Sequence, residues 1–356
     1  MGWQHILPAE ETLSLVKEYA SLQARLDQVE QQLTLYYSTP DEQKDQQQFA
    51  EIKKAYDALK AQQSLLEPVY ESILTEQIRT VLKENQLTTG TQPVPPILFR
   101  ETDLPYALII SPRDHIEQVV NISLLPDLPL TTFVDLEKTI EKQLQVSALV
   151  VPVGGIGTYP TMIMRTTNFN YTVEVIQHEW IHNYLTLFPL GLNYETTPEL
   201  RTINETTASI AGKELGAFIL NKYYPPQADP APAQPQEQGA TTPEVTPPVF
   251  DYRAEMHTTR VAVDALLAER KIDQAETYME NRRILFLENG YTIRRINQAY
   301  FAFYGAYADQ PGGAAGDDPV GEAVRTLRKQ KSTLAEFIKT IAWVDDYQKL
   351  LDLLNP

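Results

Sequence analysis

From Glu10 to Tyr37, the residues Leu15, Tyr19, Leu22, Leu26, Val29, Leu33 and Tyr36 recur at alternating spacings of four and three. That alternation is a heptad seam and predicts a helix packed along a narrow stripe. Ser38-Thr39-Pro40-Asp41 interrupts it, and a second seam follows through Phe49, Ile52, Tyr56, Leu59, Gln63 and Leu66. Two such helices joined by a short turn make an antiparallel hairpin. Pro68 lacks a backbone N–H and crowds the preceding turn, so it is expected to kink or restart the second helix. The apolar positions then continue through Ile73, Leu74, Ile78, Val81 and Leu82 to about Asn85.

After Thr88-Thr89-Gly90 the pattern changes to short β-prone runs at 97–101, 106–111 and 116–125. A helix is expected over about 132–145. The run Ala148 to Val153 is apolar on both sides, as a buried strand would be. Gly154-Gly155-Ile156-Gly157-Thr158-Tyr159-Pro160 comes next. It lacks the spacing of a phosphate-cradling loop and is not followed directly by a helix, so nucleotide binding is not expected. The reading adopted is a glycine-lined edge strand, continuing through Thr161 to Arg165, against which an extended peptide pairs. Gly155, Gly157 and Tyr159 are its substrate-facing residues.

A helix starting near Asn170 or Thr172 and running to about Phe188 carries Val173, Ile176, Trp180, Tyr184 and Leu187 on one face. Glu174, His178, His182 and Thr186 lie on the other. Thr197-Pro198 reads as a cap followed by proline at the first helical position, opening a helix to about Tyr223. Its Ala208, Ala211, Gly212 and Gly216 allow a neighbouring helix to come close. Residues 225–248 hold eight prolines and almost nothing large, which predicts a disordered or polyproline surface insertion. Helices resume at about 252–270, 274–288 and 293–309. A loop at Pro311 to Asp317 precedes final helices near 319–330 and 334–354. The aromatic string Tyr300, Phe301, Phe303, Tyr304 and Tyr307 is read as core.

These elements define an α+β chain of four parts. Residues 1–88 form a coiled-coil hairpin, 89–224 a core with a small, mostly antiparallel sheet, 225–248 the proline-rich insertion, and 249–356 a helical C-terminal part.

Composition narrows the function. The formal charge of -17 opposes a phosphate-binding surface, so nucleic acid is not an expected partner. No run of 18 apolar residues is present to span a bilayer. The chain has no cysteine, so any metal must be held by His, Asp or Glu. Absence of cysteine suits reducing and oxidising compartments alike. Met1-Gly2-Trp3 leads straight into a polar helix with no signal peptide, but a processed N-terminus would read the same. An extracytoplasmic location, secreted or anchored through a removed segment, is slightly preferred. Oligomeric state is left open.

The chemistry lies in His178-Glu179-Trp180-Ile181-His182, the pattern H-E-x-x-H. Residues four apart share a helix face, so both imidazoles can address one metal ion, and Glu179 can reach a water bound there. A catalytic zinc site needs a third protein ligand and an open position. Glu205, in Asn204-Glu205 on the next helix, is the best candidate, with Glu195 and Glu199 as competitors.

H-E-x-x-H followed some twenty residues later by N-E on a second helix resembles the gluzincin metallopeptidases, the group of thermolysin and the zinc aminopeptidases. The resemblance covers roughly residues 95–223 and implies a zincin-like catalytic domain that hydrolyses peptide or protein substrates. His178, His182 and Glu205 would hold one Zn2+ per chain, Glu179 would be general base, and the strand beginning at Gly155 to Tyr159 would hold the substrate backbone. The implied chemistry is attack on an amide by a metal-activated water. A donor for the developing oxyanion is also required. His257 is preferred among His257, Tyr252, Arg260, Tyr194 and Tyr159. Two departures stand out. Ser209 occupies the position at which thermolysin-like enzymes carry an Asp that orients a ligand His, and the G-x-M-E-N motif of the zinc aminopeptidases is missing. The competing expectation is a binding or scaffold protein with a structural or vestigial metal, acting through its helical arm.

Overall fold

The computed structural model describes residues 8–38, 45–126, 128, 130–225, 250–310 and 313–355. The hairpin consists of α1 (Ala9–Ser38) and α2 (Gln46–Glu84). Three strands follow, β1 (Phe99–Thr102), β2 (Tyr106–Pro112) and β3 (Val120–Leu124), then α3 (Leu130–Leu144) and β4 (Val146–Pro152). The site region comprises β5 (Gly155–Ile156), β6 (Thr161–Met164), α4 (Phe169–Leu185), α5 (Pro189–Leu192) and α6 (Pro198–Tyr223). The C-terminal part contains α7 (Tyr252–Ala268), α8 (Ile272–Glu288), α9 (Gln298–Tyr304), α10 (Pro319–Gln330), α11 (Leu334–Ile341) and α12 (Tyr347–Leu354). The chain is α+β, mostly helical, with two small sheets of three strands. The proline-rich stretch expected at 225–248 lies, after Pro225, outside the described residues.

The two helices of the hairpin pack along the expected seam. Tyr19, Leu22 and Leu26 of α1 are buried, the Tyr19 and Tyr70 rings stack at 4.1 Å, and Tyr36 stacks on Phe49 at 4.7 Å. Asp45 caps α2 by accepting hydrogen bonds from the Gln47 and Gln48 amides. Pro68 does not restart the helix, which runs unbroken through it. One proline removes a single donor, and the turns that follow, with Tyr70, Ile73, Leu74, Ile78, Val81 and Leu82, are buried in the main core. That core also takes in α4, α6, α10 and α11, so the second half of α2 shares its apolar interior with the site region.

The sheet is divided, where a single one was expected. β3, β2 and β4 form an antiparallel sheet in that order. In the other, β6 lies between β1, its parallel partner, and β5, its antiparallel one. Pro152 ends β4, and the Gly154 carbonyl then accepts from the Met164 amide, so the chain passes from one sheet to the other within a few residues. β5 is an edge strand of only two residues.

The C-terminal region departs from its sequence pattern at three points, one being that α9 ends at Tyr304 where the helix was expected to run to about 309. Residues 293–297 precede α9 rather than belonging to it. Arg294 and Arg295 pair with Glu137 on α3, the Asn297 amide donates to Ala148 O at 3.0 Å, and the Asn297 Oδ1 caps the helix by accepting from the Tyr300 amide. The expected 334–354 helix is two helices, because Asp346 turns extended and caps α12 through the Lys349 amide.

Candidate metal centre

The helix α4 begins where the Asn168 side chain accepts from the Tyr171 amide at 3.1 Å. Thr197 does the same for α6 through the Leu200 amide, with Pro198 in the first turn. The two helices touch through glycine. A Cβ built on Gly212 would stand 2.8 Å from the Glu174 carbonyl oxygen and 3.1 Å from the His178 Cβ. One on Gly216 would stand 2.9 Å from the Glu174 Cγ. Absence of these side chains brings α6 close enough for Glu205 to reach the histidines.

Three ligand-type groups converge there. The Nε2 atoms of His178 and His182 are 3.0 Å apart, and Glu205 Oε2 is 3.4 Å from each. These donor atoms all lie within 4.8 Å of one another. Neither competitor joins them: Glu195 lines the adjoining cavity as an exposed residue, and Glu199 sits in the first turn of α6.

Each of the three side chains is held from behind. His182 Nδ1 donates to the Asn204 Oδ1 at 2.7 Å, which turns the Nε2 toward the centre. Ser209 Oγ stands 3.5 Å from His178 Nδ1, a longer and weaker support where a carboxylate was missing in the sequence. The Tyr194 hydroxyl donates to Glu205 Oε1, leaving Oε2 buried and without a hydrogen-bond partner. A buried carboxylate oxygen without a hydrogen bond is costly, and a positive charge among these atoms, a metal ion or the proton on His182, satisfies it. Two imidazoles and one carboxylate are the donor set of a catalytic zinc site.

Charge follows the geometry. Burial alone would lower the His182 pKa, but the Glu205 carboxylate raises it to about 9. Burial would raise that of Glu205, but the two histidines hold it well below the usual carboxylate range. Glu179 is 7 % exposed, and burial pushes its pKa up against the opposing pull of the histidines.

A cavity of about 1060 Å3 opens over these groups. Gly155 and Gly157 line it beside Glu179. A Cβ on Gly155 would fall 2.5 Å from Glu179 Oε1, and one on Gly157 would fall 3.4 Å from Glu179 Oε2 and from the His182 Cβ. Side-chain-free backbone therefore lies directly against the carboxylate. Tyr159 is not among the lining residues and is 52 % exposed, since β5 has already ended at Ile156.

His257 is not brought to the cavity. It lies on α7 with its Nε2 3.7 Å from the Asp317 carboxylate, because α7 packs on α8 and the 313–315 turn, away from α4. Arg260 and Tyr252 are engaged elsewhere, with Asp264 and Tyr300 respectively. From the aromatic string, Tyr307 packs on the centre. Its ring stacks on that of His178 at 6.1 Å, and burial raises its pKa well above the usual tyrosine value. Reading the string from Tyr300 to Tyr307 as uniform core missed this. Two contacts from α6 hold the segment: Arg201 to Ala302 O at 2.9 Å and Thr206 to Ala306 O at 3.4 Å. The Asn204 role was also missed, although the residue sits beside Glu205 in the motif.

Compared with known proteins, the chain matches no protein-family model, no curated protein and no solved structure. Among the described residues, no helix is long and apolar enough to cross a membrane.

Proposed function

We propose that this chain is a zinc-dependent peptidase of zincin-like architecture, with its active centre at His178, His182 and Glu205. The observation that carries the reading is the buried Glu205 Oε2, without a hydrogen bond and facing two imidazole nitrogens, with the buried Glu179 carboxylate beside them under bare glycine backbone. The cavity is large enough for several peptide residues, and the free edge of β5 offers backbone groups to an extended chain.

His178, His182 and Glu205 would hold the metal, with Asn204, Ser209 and Tyr194 keeping them in place. When bound, the ion supplies Lewis-acid polarisation of the scissile carbonyl and lowers the pKa of water. Glu179 takes the proton from the attacking water and passes it to the leaving nitrogen. Burial raises its pKa, which makes it a better acceptor for that proton. Gly155 and Gly157 let the substrate backbone come within reach of that carboxylate. The Tyr307 hydroxyl, on the ring that stacks against His178, takes the place of His257 as the proposed donor for the oxyanion. It lines the cavity, and no protein acceptor takes its hydrogen among the described residues.

The test is metal analysis of protein purified without added zinc, alongside turnover of a mixed peptide library. The wild type should carry close to one ion and cleave peptides. Glu179→Gln should keep the ion and lose at least about a hundredfold in rate. Less than about half an equivalent of metal, or cleavage unchanged by the substitution, overturns the reading. A fully metallated but inactive wild type would favour a scaffold that acts through its helical arm.

A further inference from the structure

One turn before His178, the same face of α4 presents Glu174 to the cavity. The neighbouring wall is Tyr171 and Val175 from α4, Gly212 and Lys213 from α6, and Asp309. Two of these charges cancel, since the Lys213 ammonium is salt-bridged to the Asp309 carboxylate. Glu174 makes no hydrogen bond and no ion pair of its own among the described residues. Gly216 leaves the space that its Cγ occupies, so the side chain is seated in the groove between the helices. This end of the cavity therefore carries a net charge of one negative unit beside the metal centre, with Lys213 shared between Asp309 and Glu174. The molecule around it is strongly acidic, at -17, and a field of that sign draws cationic ligands inward.

We propose that Glu174 reads a cationic side chain, Lys or Arg, on a residue flanking the scissile bond, which makes basic peptides the substrate class. The inference rests on the peptidase reading above. Four residues of α-helix advance ~6 Å, so the carboxylate stands about that far along the cleft from His178. A peptide's free α-amine, ~2.5 Å from its own carbonyl carbon, is the competing cation, and N-terminal acetylation removes it. The four-carbon stem of Lys, or the longer side chain of Arg, spans the interval and brings its charge to the carboxylate. A neutral side chain of the same length would leave Glu174 without a partner and forfeit a charge-assisted hydrogen bond.

The experiment uses alanine hexapeptides carrying one central Lys, Arg, Met or Glu, each with a free and an acetylated N-terminus. They are given to the zinc-loaded wild type, Glu174→Gln and Glu174→Arg. The wild type should favour Lys and Arg over Met by about tenfold or more in kcat/KM, irrespective of acetylation. Glu174→Gln should bring that ratio within about threefold, and Glu174→Arg should shift preference toward the Glu peptide. Equal use of Lys and Met peptides by the wild type, or a ratio that survives Glu174→Gln, overturns the inference while leaving the peptidase standing. A preference abolished by acetylation overturns it in favour of the α-amine. Fluorescence anisotropy of the same labelled peptides on zinc-loaded Glu179→Gln protein, with and without Glu174→Gln, needs no turnover. If no peptide is cleaved, a Glu174-dependent preference in binding still upholds the inference, and its absence overturns it.

Discussion

His182 is held between two acceptors, the Asn204 amide oxygen on Nδ1 and the Glu205 carboxylate facing Nε2. The carboxylate lifts its pKa to about 9, so in the metal-free protein the ring is protonated at neutral pH. A metal ion must displace that proton. Zinc affinity is therefore expected to rise by about tenfold per pH unit up to about pH 9, with about one proton released per ion at neutrality. Calorimetric titration in buffers of different ionisation enthalpy measures the release, and a pH-independent affinity would contradict it. Asn204→Ala, which leaves the ring free to turn, should weaken zinc binding by about 10- to 100-fold.

Among the elements, the α4–α6 pair decides whether a site exists at all. The histidines belong to one helix and Glu205 to the other, and Gly212 and Gly216 set their separation. Gly212→Val places a branched side chain where even a Cβ lies 2.8 Å from the Glu174 backbone oxygen. Overpacking of this kind costs about 1–3 kcal/mol, and here it also draws Glu205 away from the histidines. Denaturant unfolding of the metal-free variant should show the loss of stability, and zinc titration a weaker site. Wild-type values in both would mean that the helices do not depend on this contact. The start of α6 was legible because a cap and a proline stand together at Thr197-Pro198. Boundaries failed at 293–297 and 342–346, where Asn297 and Asp346 end one conformation and begin another inside an apolar pattern, and at 305–309, which lies beyond the end of α9.

At the scale of the whole molecule, the hairpin is joined to the body through buried carboxylates. Glu101 on β1, 3 % exposed, accepts from the Tyr19 hydroxyl at 3.0 Å, and its backbone amide donates to Glu71 on α2 at 3.2 Å. Burial raises the Glu101 pKa from 4.5 to about 7, against the hydrogen bond from Tyr19. The folded state thus holds this proton more tightly than the unfolded chain does. The stabilisation it contributes is complete below the unfolded value and is lost as pH rises through about 7. Chemical unfolding across this window should show a falling component of about 1.4 kcal/mol per pH unit, and Glu101→Gln should remove it. An unchanged slope in that variant would place the titration elsewhere. Because β1 pairs with β6 and β6 with β5, this junction also lies on the sheet that supports the glycine edge.

Local information determined much of this protein. Periodicity prescribed the hairpin helices and α6, β-prone runs located five of the strands within a few residues, and the spacing of His178, Glu179 and His182 put two imidazoles and a carboxylate on one helix. Helical spacing is a property of the backbone, so it can be read without knowing the fold. That Glu205 rather than Glu195 or Glu199 meets the histidines, that Asn204 holds His182 and Tyr194 holds Glu205, and that Tyr307 rather than His257 lies beside His178 depended on which elements meet. Those meetings are decided by side-chain packing across distant parts of the chain, above all by two glycines on α6 whose missing atoms let the second helix close on the first.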